Sequence, residues 1–322
     1  MNDDELPVVP ASALDEVDRT KQWLVDQLWP RAGVGIIGGP PKSCKSWLGL
    51  DLALSVTSGT PCLGTFSVIE RAGALIYLAE DAGSIVKERL LGLCRHRALD
   101  LADLPLGVIT ASAIRLDLER DQRRLTETVR RHTPRLLLLD PFVRLHRIDE
   151  NHAGDVSALL GFLRELQRQH DLAVVVVHHA RKNGGPANGG LSLRGSGDFF
   201  AWVDTALCLR RQRQQILLSV EHRAASAPPL LKLKLTAHED SVRLEVESAD
   251  DQDTIAAPAQ LDLAVLRALA DAPDRALTRS ALREILHVRN ERLVDALARL
   301  AAAGSVSRRG DAWAAAVPVP SL

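Results

Sequence analysis

A glycine-containing loop near the N-terminus has the residues needed to hold the phosphates of a nucleotide. An apolar run at 34–37 leads into this loop, and the helical pattern WLGLDLALSV follows it. In this strand, loop and helix arrangement, backbone N–H groups wrap the β-phosphate and the helix dipole favours anions. Lys45 would neutralise the β- and γ-phosphate oxygens, and the Ser46 hydroxyl would ligate Mg²⁺. The pattern therefore predicts ATP and Mg²⁺ as cofactors, held by Gly39, Pro40, Pro41, Lys42, Ser43, Cys44, Lys45 and Ser46.

One position of this phosphate loop departs from the Walker A pattern. The motif G-x-x-x-x-G-K-[ST] has its second glycine where this chain has Cys44. A Cβ atom at this position must fit beside the phosphates, where the backbone can adopt a positive φ that glycine tolerates best. Two interpretations follow: a working loop that accommodates the cysteine, or a degenerate loop that binds no nucleotide. The other motifs of the chain favour the working loop.

Two acidic residues stand at the ends of later apolar runs. Glu80 follows the run YLA, and Asp140 follows LLLL. Because open α/β sheets bind ligands at the carboxyl ends of their strands, we expect both carboxylates near the phosphate loop. Asp140 would bind Mg²⁺, directly or through water, and Glu80 would polarise the attacking water. The alternative role, a carboxylate that caps the following helix, fits the neighbouring Asp81 better than Glu80.

A parallel sheet is needed to bring these residues together, and the order of apolar and helical patterns predicts one. Continuous apolar runs bounded by Gly or Pro alternate with helical patterns, as in βαβ units. Residues 204–247 then alternate without helices, as antiparallel hairpins at a sheet edge do. The predicted fold class is α/β, with a mostly parallel sheet and antiparallel edge hairpins. The predicted strands are 33–39, 73–81, 105–110, 134–141 and 171–180, and the predicted helices are 46–58, 85–99, 121–132 and 154–170.

The motifs GGPPKSCKS, YLAED, LLLLDP, VVVVHHARK and LRGSGD occur in this order. In this combination the chain resembles the RepA-like family of hexameric replicative helicases, which have a RecA-like P-loop core. The resemblance covers roughly residues 20–247. It implies a homo-oligomeric ring, a hexamer in that family, which moves along DNA and has its nucleotide sites between subunits. It also implies that Glu80 is the catalytic base and that His178 or His179 senses the γ-phosphate.

A ring ATPase also needs a cation from a neighbouring subunit, because the γ-phosphate gains charge in the transition state. Two arginines are candidates for this cation, which is called an arginine finger. Arg223 matches the arginine of a Lys-x-Arg pair found on a late strand in the RepA-like family, although Glu221 replaces the lysine here. Arg194 lies in LRGSG, shortly after the histidine pair. For each arginine, the alternative is an ordinary solvated surface residue.

The segment 178–198 is rich in glycine and contains the basic residues Arg181 and Lys182. A flexible basic loop at the carboxyl edge of the sheet can follow the phosphate backbone of single-stranded DNA in a central channel. Aromatic residues for base stacking are missing before Phe199, so binding there would be electrostatic. The alternative is an ordinary disordered surface loop.

The last part of the chain has the pattern of a small separate domain. Residues 248–258 are acidic and small and end in Pro, which is typical of a linker. Three helical patterns and two short extended segments follow, and they predict a winged helix-turn-helix at 259–322. Winged helices also dock proteins, so the kind of partner stays open. For duplex DNA, the predicted contacts are Arg289 and Arg292 in the recognition helix and Arg308 and Arg309 in the wing.

Composition excludes several classes of protein. Of the 322 residues, 46% are hydrophobic and 25% are charged, and the net charge is -1. These values exclude a wholly disordered chain and a global attraction for nucleic acid or membranes. The four cysteines lack CxxC spacing, no apolar stretch could span a bilayer, and the N-terminus lacks a signal-peptide pattern. We therefore expect a disordered tail at 1–20, an ATPase domain at 21–247, a cytoplasmic location and no membrane partner.

Three functions are compatible with these residues. The favoured one is a DNA helicase. The second is a DNA-bound ATP switch for replication initiation, repair or regulation, which Cys44 and the missing lysine favour. The third is a phosphotransferase for a small molecule, which shares the phosphate loop but needs neither LRGSG, nor a basic glycine loop, nor a winged helix.

Overall fold

A computed structural model describes most of the chain, in two compact units, Met1–Glu247 and Ser248–Leu322. No helix among the described residues combines the length and the apolar composition that crossing a lipid bilayer requires. The described residues are 8–13, 22–150, 153–179, 198–212, 215–238, 240–247, 258–272, 276–286 and 290–315. Of the predicted N-terminal tail, residues 8–13 are described and include a turn of 3₁₀ helix at Ala11–Ala13, while 1–7 and 14–20 lie outside them.

The strands of the first unit form a short hairpin and one large sheet. The hairpin consists of β1 (Trp23–Val25) and β2 (Trp29–Pro30). The sheet contains β3 (Val34–Gly39), β4 (Ala74–Leu78), β5 (Leu106–Val108), β6 (Leu136–Asp140), β7 (Ala173–His179), β8 (Thr205–Gln212), β9 (Gln215–His222), β10 (Leu231–His238) and β11 (Ser241–Val246).

Among the described residues these nine strands lie in the order β11-β10-β9-β8-β3-β7-β6-β4-β5. The strands β8, β3, β7, β6, β4 and β5 pair with their neighbours in parallel. The strands β8, β9, β10 and β11 pair with one another antiparallel. The predicted α/β fold with a mostly parallel sheet is therefore confirmed. The helices of this unit are α1 (Lys45–Ser58), α2 (Gly83–His96), α3 (Glu119–His132), α4 (Ala153–His170) and α5 (Asp198–Trp202).

Two apolar cores lie on the two faces of this sheet. In β6, Leu136 and Leu138 belong to the core that includes α1 and α2, whereas Leu137 and Leu139 belong to the core of α3 and α4. Successive side chains of a strand point to opposite faces, so an unbroken apolar run is what a strand covered on both faces requires. Helix α1, which follows the phosphate loop, consequently packs on the face of the sheet that carries Leu136 and Leu138.

A buried ion pair joins α1 to the end of α2. Asp51 is 1% exposed, and its carboxylate accepts hydrogen bonds from the Arg97 guanidinium and from the backbone N–H of Leu63, the latter at 2.8 Å. Arg97 also donates to the hydroxyls of Ser55 and Thr60, at 2.8 and 2.9 Å. Buried charges persist only when they are paired and hydrogen-bonded, so this network fixes the two helices in register.

The second unit combines helices with a small sheet. Its elements are α6 (Pro258–Asp271), β12 (Ala276–Thr278), α7 (Arg279–Leu286), α8 (Asn290–Ala302), β13 (Val306–Arg309) and β14 (Ala312–Ala315). In the part that the structure describes, the strands pair antiparallel in the order β12-β14-β13. The Thr278 hydroxyl accepts a hydrogen bond from the Ala281 N–H at 3.2 Å, as an N-cap side chain does at the start of a helix. Pro258 begins α6 rather than ending the linker, since proline suits the first turn of a helix.

Candidate active site

The phosphate loop connects the end of β3 to the start of α1, at the carboxyl edge of the parallel sheet. Its first residue, Gly39, has φ 154°. A Cβ atom there would lie 2.4 Å from the Leu209 carbonyl oxygen and 2.8 Å from the Ser43 hydroxyl oxygen. Only glycine fits such an approach, because the closest neighbour is backbone that cannot move aside.

Cys44 adopts the left-handed conformation that the sequence suggested for it. Its φ and ψ are 69° and 23°, and it is the N-cap residue of α1 without a side-chain capping hydrogen bond. A side chain in this conformation costs about 1 kcal/mol or more. Burial raises the pKa of the Cys44 thiol, so the group stays protonated at neutral pH. The loop therefore keeps the backbone course of a glycine-containing phosphate loop at an energetic cost.

Lys45 is held against the loop that it would serve. Its ammonium group donates a hydrogen bond to the Pro40 carbonyl oxygen at 2.7 Å, and the Ser43 hydroxyl donates to the same oxygen at 2.8 Å. Lys45 is 6% exposed, and burial lowers its pKa while the charge of Asp140 counteracts that effect. The ammonium thus lies within the loop, at the N-terminus of α1.

Asp140 ends β6, and its carboxylate accepts a hydrogen bond from the Ser46 side chain. Burial raises its pKa to about 6, the Ser46 hydrogen bond opposes this rise, and Asp81 and Glu80 add to it. Its Oδ2 atom is buried and accepts no hydrogen bond from the described residues. A buried carboxylate oxygen that lacks a donor, next to a hydroxyl and other carboxylates, fits a hard divalent cation.

The metal ligands supplied by the chain are few. The described residues contain no group of three or more His, Cys, Asp or Glu side chains that could hold a metal ion. Mg²⁺ typically takes one or two protein oxygens and completes its octahedron with phosphate oxygens and water. Ser46 and Asp140 match this requirement.

Asp81 has a structural partner and does not cap α2. Its two carboxylate oxygens accept hydrogen bonds from the Arg89 guanidinium at 2.6 and 3.1 Å, and Arg89 lies over the Trp47 ring at 5.7 Å. The N-cap residue of α2 is Ala82, which makes no side-chain hydrogen bond. The capping role suggested for Asp81 is therefore wrong, because an arginine inside the helix holds the carboxylate.

Glu80 lines a cavity next to the end of β4. The cavity has a volume of about 360 Å³, and Tyr77, Arg115 and Arg144 also line it. The Arg144 Nε donates a hydrogen bond to Glu80 Oε1 at 2.8 Å. Both side chains are about half exposed, at 59% for Arg144 and 47% for Glu80. No pattern in the sequence indicates this pair, since the two residues lie on different connections of the sheet.

The two histidines at the end of β7 lie beside the last residues of β3. His178 pairs in register with Gly38, and His179 with Gly39. The His178 ring is 2% exposed and stacks on Phe199 with a centroid distance of 4.6 Å, within the core on the α4 face. Because side chains alternate along a strand, His179 lies on the face that α1 covers. Of the two, His179 is on the phosphate-loop face of the sheet.

Arg223 lies near the amino ends of the parallel strands, whereas Lys45 lies at their carboxyl ends. It follows β9, whose last residue pairs with Thr205, and Thr205 pairs with Gly35 at the start of β3. Arg223 forms an ion pair with Asp204 at 3.3 Å and donates to the Ala201 carbonyl oxygen. The structure therefore does not bring Arg223 to the phosphate loop of its own chain, and a role in a neighbouring subunit stays a prediction.

The structure describes only some of the residues that are predicted to contact DNA. Arg308 and Arg309 lie on β13 and are exposed, and Arg308 Nε donates to the Gly310 carbonyl oxygen at 3.1 Å. Arg292 belongs to α8, but its side chain is outside the described residues. Also outside the described residues are Arg181, Lys182, Arg194 and Arg289.

Residues 3–185 match a family model that is described as an AAA domain. The match spans more than half of the chain, including the phosphate loop, Glu80 and Asp140. The chain belongs to this AAA domain family. The AAA domain is a P-loop ATPase core, and the chain's phosphate loop lies within the matched residues. Strands β8 to β11 and the second unit lie beyond the matched residues.

The chain is also similar to a solved structure, the crystal structure of the RadB recombinase. The two sequences are 18% identical, and the TM-score is 0.49. The match covers 68% of this chain and 93% of the RadB recombinase chain.

Proposed function

We propose that this chain is a Mg²⁺-dependent ATPase that acts on DNA as a RepA-like helicase, in a homo-oligomeric ring with nucleotide sites between subunits. The observation that carries the ATPase activity is the meeting of Lys45, Ser46 and Asp140 at the carboxyl edge of the sheet, with the Ser46 side chain bonded to Asp140. Membership of the AAA domain family supports the same activity.

The phosphate loop would bind and orient the triphosphate. Backbone N–H groups at the start of α1 face the phosphates, and the helix dipole favours their charge. Lys45 would exchange the Pro40 carbonyl for the β- and γ-phosphate oxygens. Ser46 and Asp140 would hold Mg²⁺, which neutralises charge on the phosphate oxygens. The buried Oδ2 of Asp140 gains a partner in this arrangement.

Glu80 would accept a hydrogen bond from the attacking water and orient it in line with the γ-phosphate. Its ion pair with Arg144 limits the positions that the carboxylate can take. His179, on the phosphate-loop face, is the better placed of the two histidines to sense the γ-phosphate. Arg223 or Arg194 of a neighbouring subunit would supply the finger that stabilises the transition state.

The second unit supports an interaction with duplex DNA. A helix pair, α7 and α8, followed by the β13–β14 hairpin is typical of a winged helix-turn-helix. In this proposal α8 is the recognition helix, carrying Arg292 near its start. The exposed Arg308 and Arg309 on the hairpin would contact phosphates, which positions the protein without reading sequence.

The test is ATP hydrolysis by the full chain, with and without single-stranded DNA. We expect Lys45→Ala to lower kcat by at least about 100-fold, because it removes the cation that stabilises the phosphoryl group. Glu80→Gln should lower kcat by about 100-fold or more with unchanged nucleotide affinity. The control is Lys87→Ala, an exposed lysine of α2, which should hydrolyse ATP like the parent. Undiminished hydrolysis by Lys45→Ala would contradict the site.

The left-handed Cys44 favours a second candidate function, a DNA-bound ATP switch that assembles with ATP and turns it over slowly. A side chain at this position stands where the phosphates approach the backbone. Strong stimulation of hydrolysis by single-stranded DNA, dependent on Lys45, supports the helicase. Tight nucleotide binding with negligible turnover, with or without DNA, supports the switch instead.

A further inference from the structure

A second cavity adjoins the Glu80 cavity, between the segment that follows β5 and the start of α3. Its volume is about 590 Å³. We refer to it as the arginine cleft, because its charged lining is dominated by arginine. The charged residues are Arg115, Arg120, Arg124, Arg147, Asp117 and Asp121.

One aspartate of the cleft serves to orient two of the arginines. Asp121 is 3% exposed and accepts hydrogen bonds from the Arg115 N–H at 2.9 Å, from Arg120 at 3.3 Å and from Arg124 at 3.1 Å. The Arg120 and Arg124 side chains are nevertheless 71% and 60% exposed. Each guanidinium has five N–H donors in a rigid fork, so both keep donors directed at solvent.

The other two arginines, Arg115 and Arg147, form no ion pair with a carboxylate among the described residues. Arg115 donates from its guanidinium to the carbonyl oxygens of Arg144 and His146, at 2.9 and 3.1 Å, and these acceptors are neutral. Arg147 forms no ion pair with any residue that the structure describes. Asp117 accepts instead from the Arg147 backbone N–H, at 3.4 Å. The cleft therefore has an excess of positive charge.

The cleft leads to the candidate catalytic carboxylate. Ser112, Ala113 and Arg115 line both cavities, and Arg144 also lines the Glu80 cavity. The positive groups thus come from three segments of the chain: the connection before α3, the first turns of α3, and the residues after β6. They form two groups, one around Asp121 and one along 144–147.

This arrangement suits a chain of phosphates better than a single compact anion. None of the described residues that line the cleft is aromatic, so the walls offer no platform for stacking bases. Arginine binds phosphate oxygens through bidentate hydrogen bonds, which a backbone of successive phosphates can use in series. Recognition of this kind is independent of base sequence.

We propose that the arginine cleft binds the phosphodiester backbone of single-stranded DNA beside Glu80. This inference rests on the proposed DNA-directed function and names a site for it outside the glycine-rich segment and the second unit.

The test compares two double variants of α3 in the full chain. Arg120→Gln with Arg124→Gln removes two charges from the cleft, while glutamine keeps a donor for Asp121. Arg123→Gln with Arg130→Gln is the matched control, since those arginines are 66% and 67% exposed on the same helix and do not line the cleft. The measurement is fluorescence anisotropy of a labelled oligothymidylate over a range of salt concentrations.

We expect the cleft variant to raise the Kd for the oligothymidylate at least ten-fold at low salt and the control to change it less than two-fold. The salt dependence should also fall, by about 0.7 in log–log slope for each phosphate that the variant no longer neutralises. Basal ATP hydrolysis should match the parent in both variants. Equal DNA binding by the two variants would overturn the proposal that the arginine cleft binds DNA. Failure of the parent chain to bind the oligonucleotide would instead overturn the proposed DNA-directed function.

A second titration separates DNA from a small phosphate ligand. Inorganic tripolyphosphate is titrated into protein saturated with ADP, so that the phosphate loop is occupied. Competition by tripolyphosphate for the oligothymidylate site, abolished in the cleft variant, supports a shared phosphate site. Tripolyphosphate binding that depends on Arg120 and Arg124, together with DNA binding that does not, would overturn the proposal in favour of a small ligand.

Discussion

At the scale of single residues, the chain keeps a phosphate loop whose critical turn carries a side chain. Cys44 has φ 69°, a region that glycine occupies freely and that other residues enter at a cost. Gly39, by contrast, cannot be replaced, because the Leu209 carbonyl would lie 2.4 Å from a Cβ atom. The loop therefore tolerates a small side chain at one position and none at the other.

Substitutions of Cys44 should show how the left-handed backbone conformation at this position affects ATP binding. We expect Cys44→Gly to bind ATP at least as tightly as the parent, because the left-handed strain disappears. Cys44→Val should weaken binding about ten-fold, since a β-branched side chain suits positive φ poorly. Cys44→Ala keeps a Cβ atom without branching and should stay within about two-fold of the parent. Calorimetric titration with a non-hydrolysable ATP analogue measures this, and parent-like binding by the valine variant would contradict it.

At the scale of elements, buried polar contacts hold α1 and α2 in the positions that the site requires. The Asp51 carboxylate is buried in the first of these helices, and burial raises its pKa while Arg97 counteracts the rise. Arg97 is 10% exposed and stands directly after α2. Because α1 begins at Lys45, displacement of this pair would move the phosphate loop as well.

Loss of Arg97 should therefore destabilise the first unit strongly. Arg97→Ala leaves a buried carboxylate without its countercharge, and we expect a loss of about 3 kcal/mol in the free energy of unfolding. Combining it with Asp51→Ala should cost less than the sum of the two single changes. The control is Arg95→Ala in α2, whose pair with Asp240 is exposed at 48% and 70%, and which should cost less than about 1 kcal/mol. Urea unfolding followed by tryptophan fluorescence measures these differences, and equal losses for the two arginines would contradict the expectation.

At the scale of the whole molecule, two compact units carry different arrangements of basic side chains. In the first unit, arginines line a cleft beside Glu80. In the second unit, Arg308 and Arg309 are exposed on a short strand of a small sheet. With a net charge of -1 for the whole chain, any attraction for DNA depends on these local groups.

Duplex binding should depend on the second unit. We expect Arg308→Gln with Arg309→Gln, in the full chain, to lower the log–log salt slope for duplex DNA by about 0.9 for each phosphate left without its arginine. Binding of the oligothymidylate should change less than two-fold. Arg267→Gln with Arg283→Gln removes two other exposed arginines from the same unit and serves as the control. Duplex binding with an unchanged salt slope in the Arg308 and Arg309 variant would favour a protein-docking role.

The sequence alone determined the local features of this protein. Helices α1, α3 and α4 begin within two residues of the predicted starts, and the strands that end in His179 and Asp140 lie within the predicted apolar runs. The Walker A spacing and the left-handed position of Cys44 followed from residue types in short windows. Such features depend on backbone conformation and periodicity within a few residues, which neighbouring side chains largely set.

Which distant side chains meet depends on the tertiary structure. The strand order β3-β7-β6-β4 places His179 beside Gly39 and Asp140 near Ser46. The pairing of Glu80 with Arg144 and the assembly of the arginine cleft from three segments have no local signature. These contacts arise from the packing of separate connections at one edge of the sheet, and the pattern within any single segment does not encode that packing.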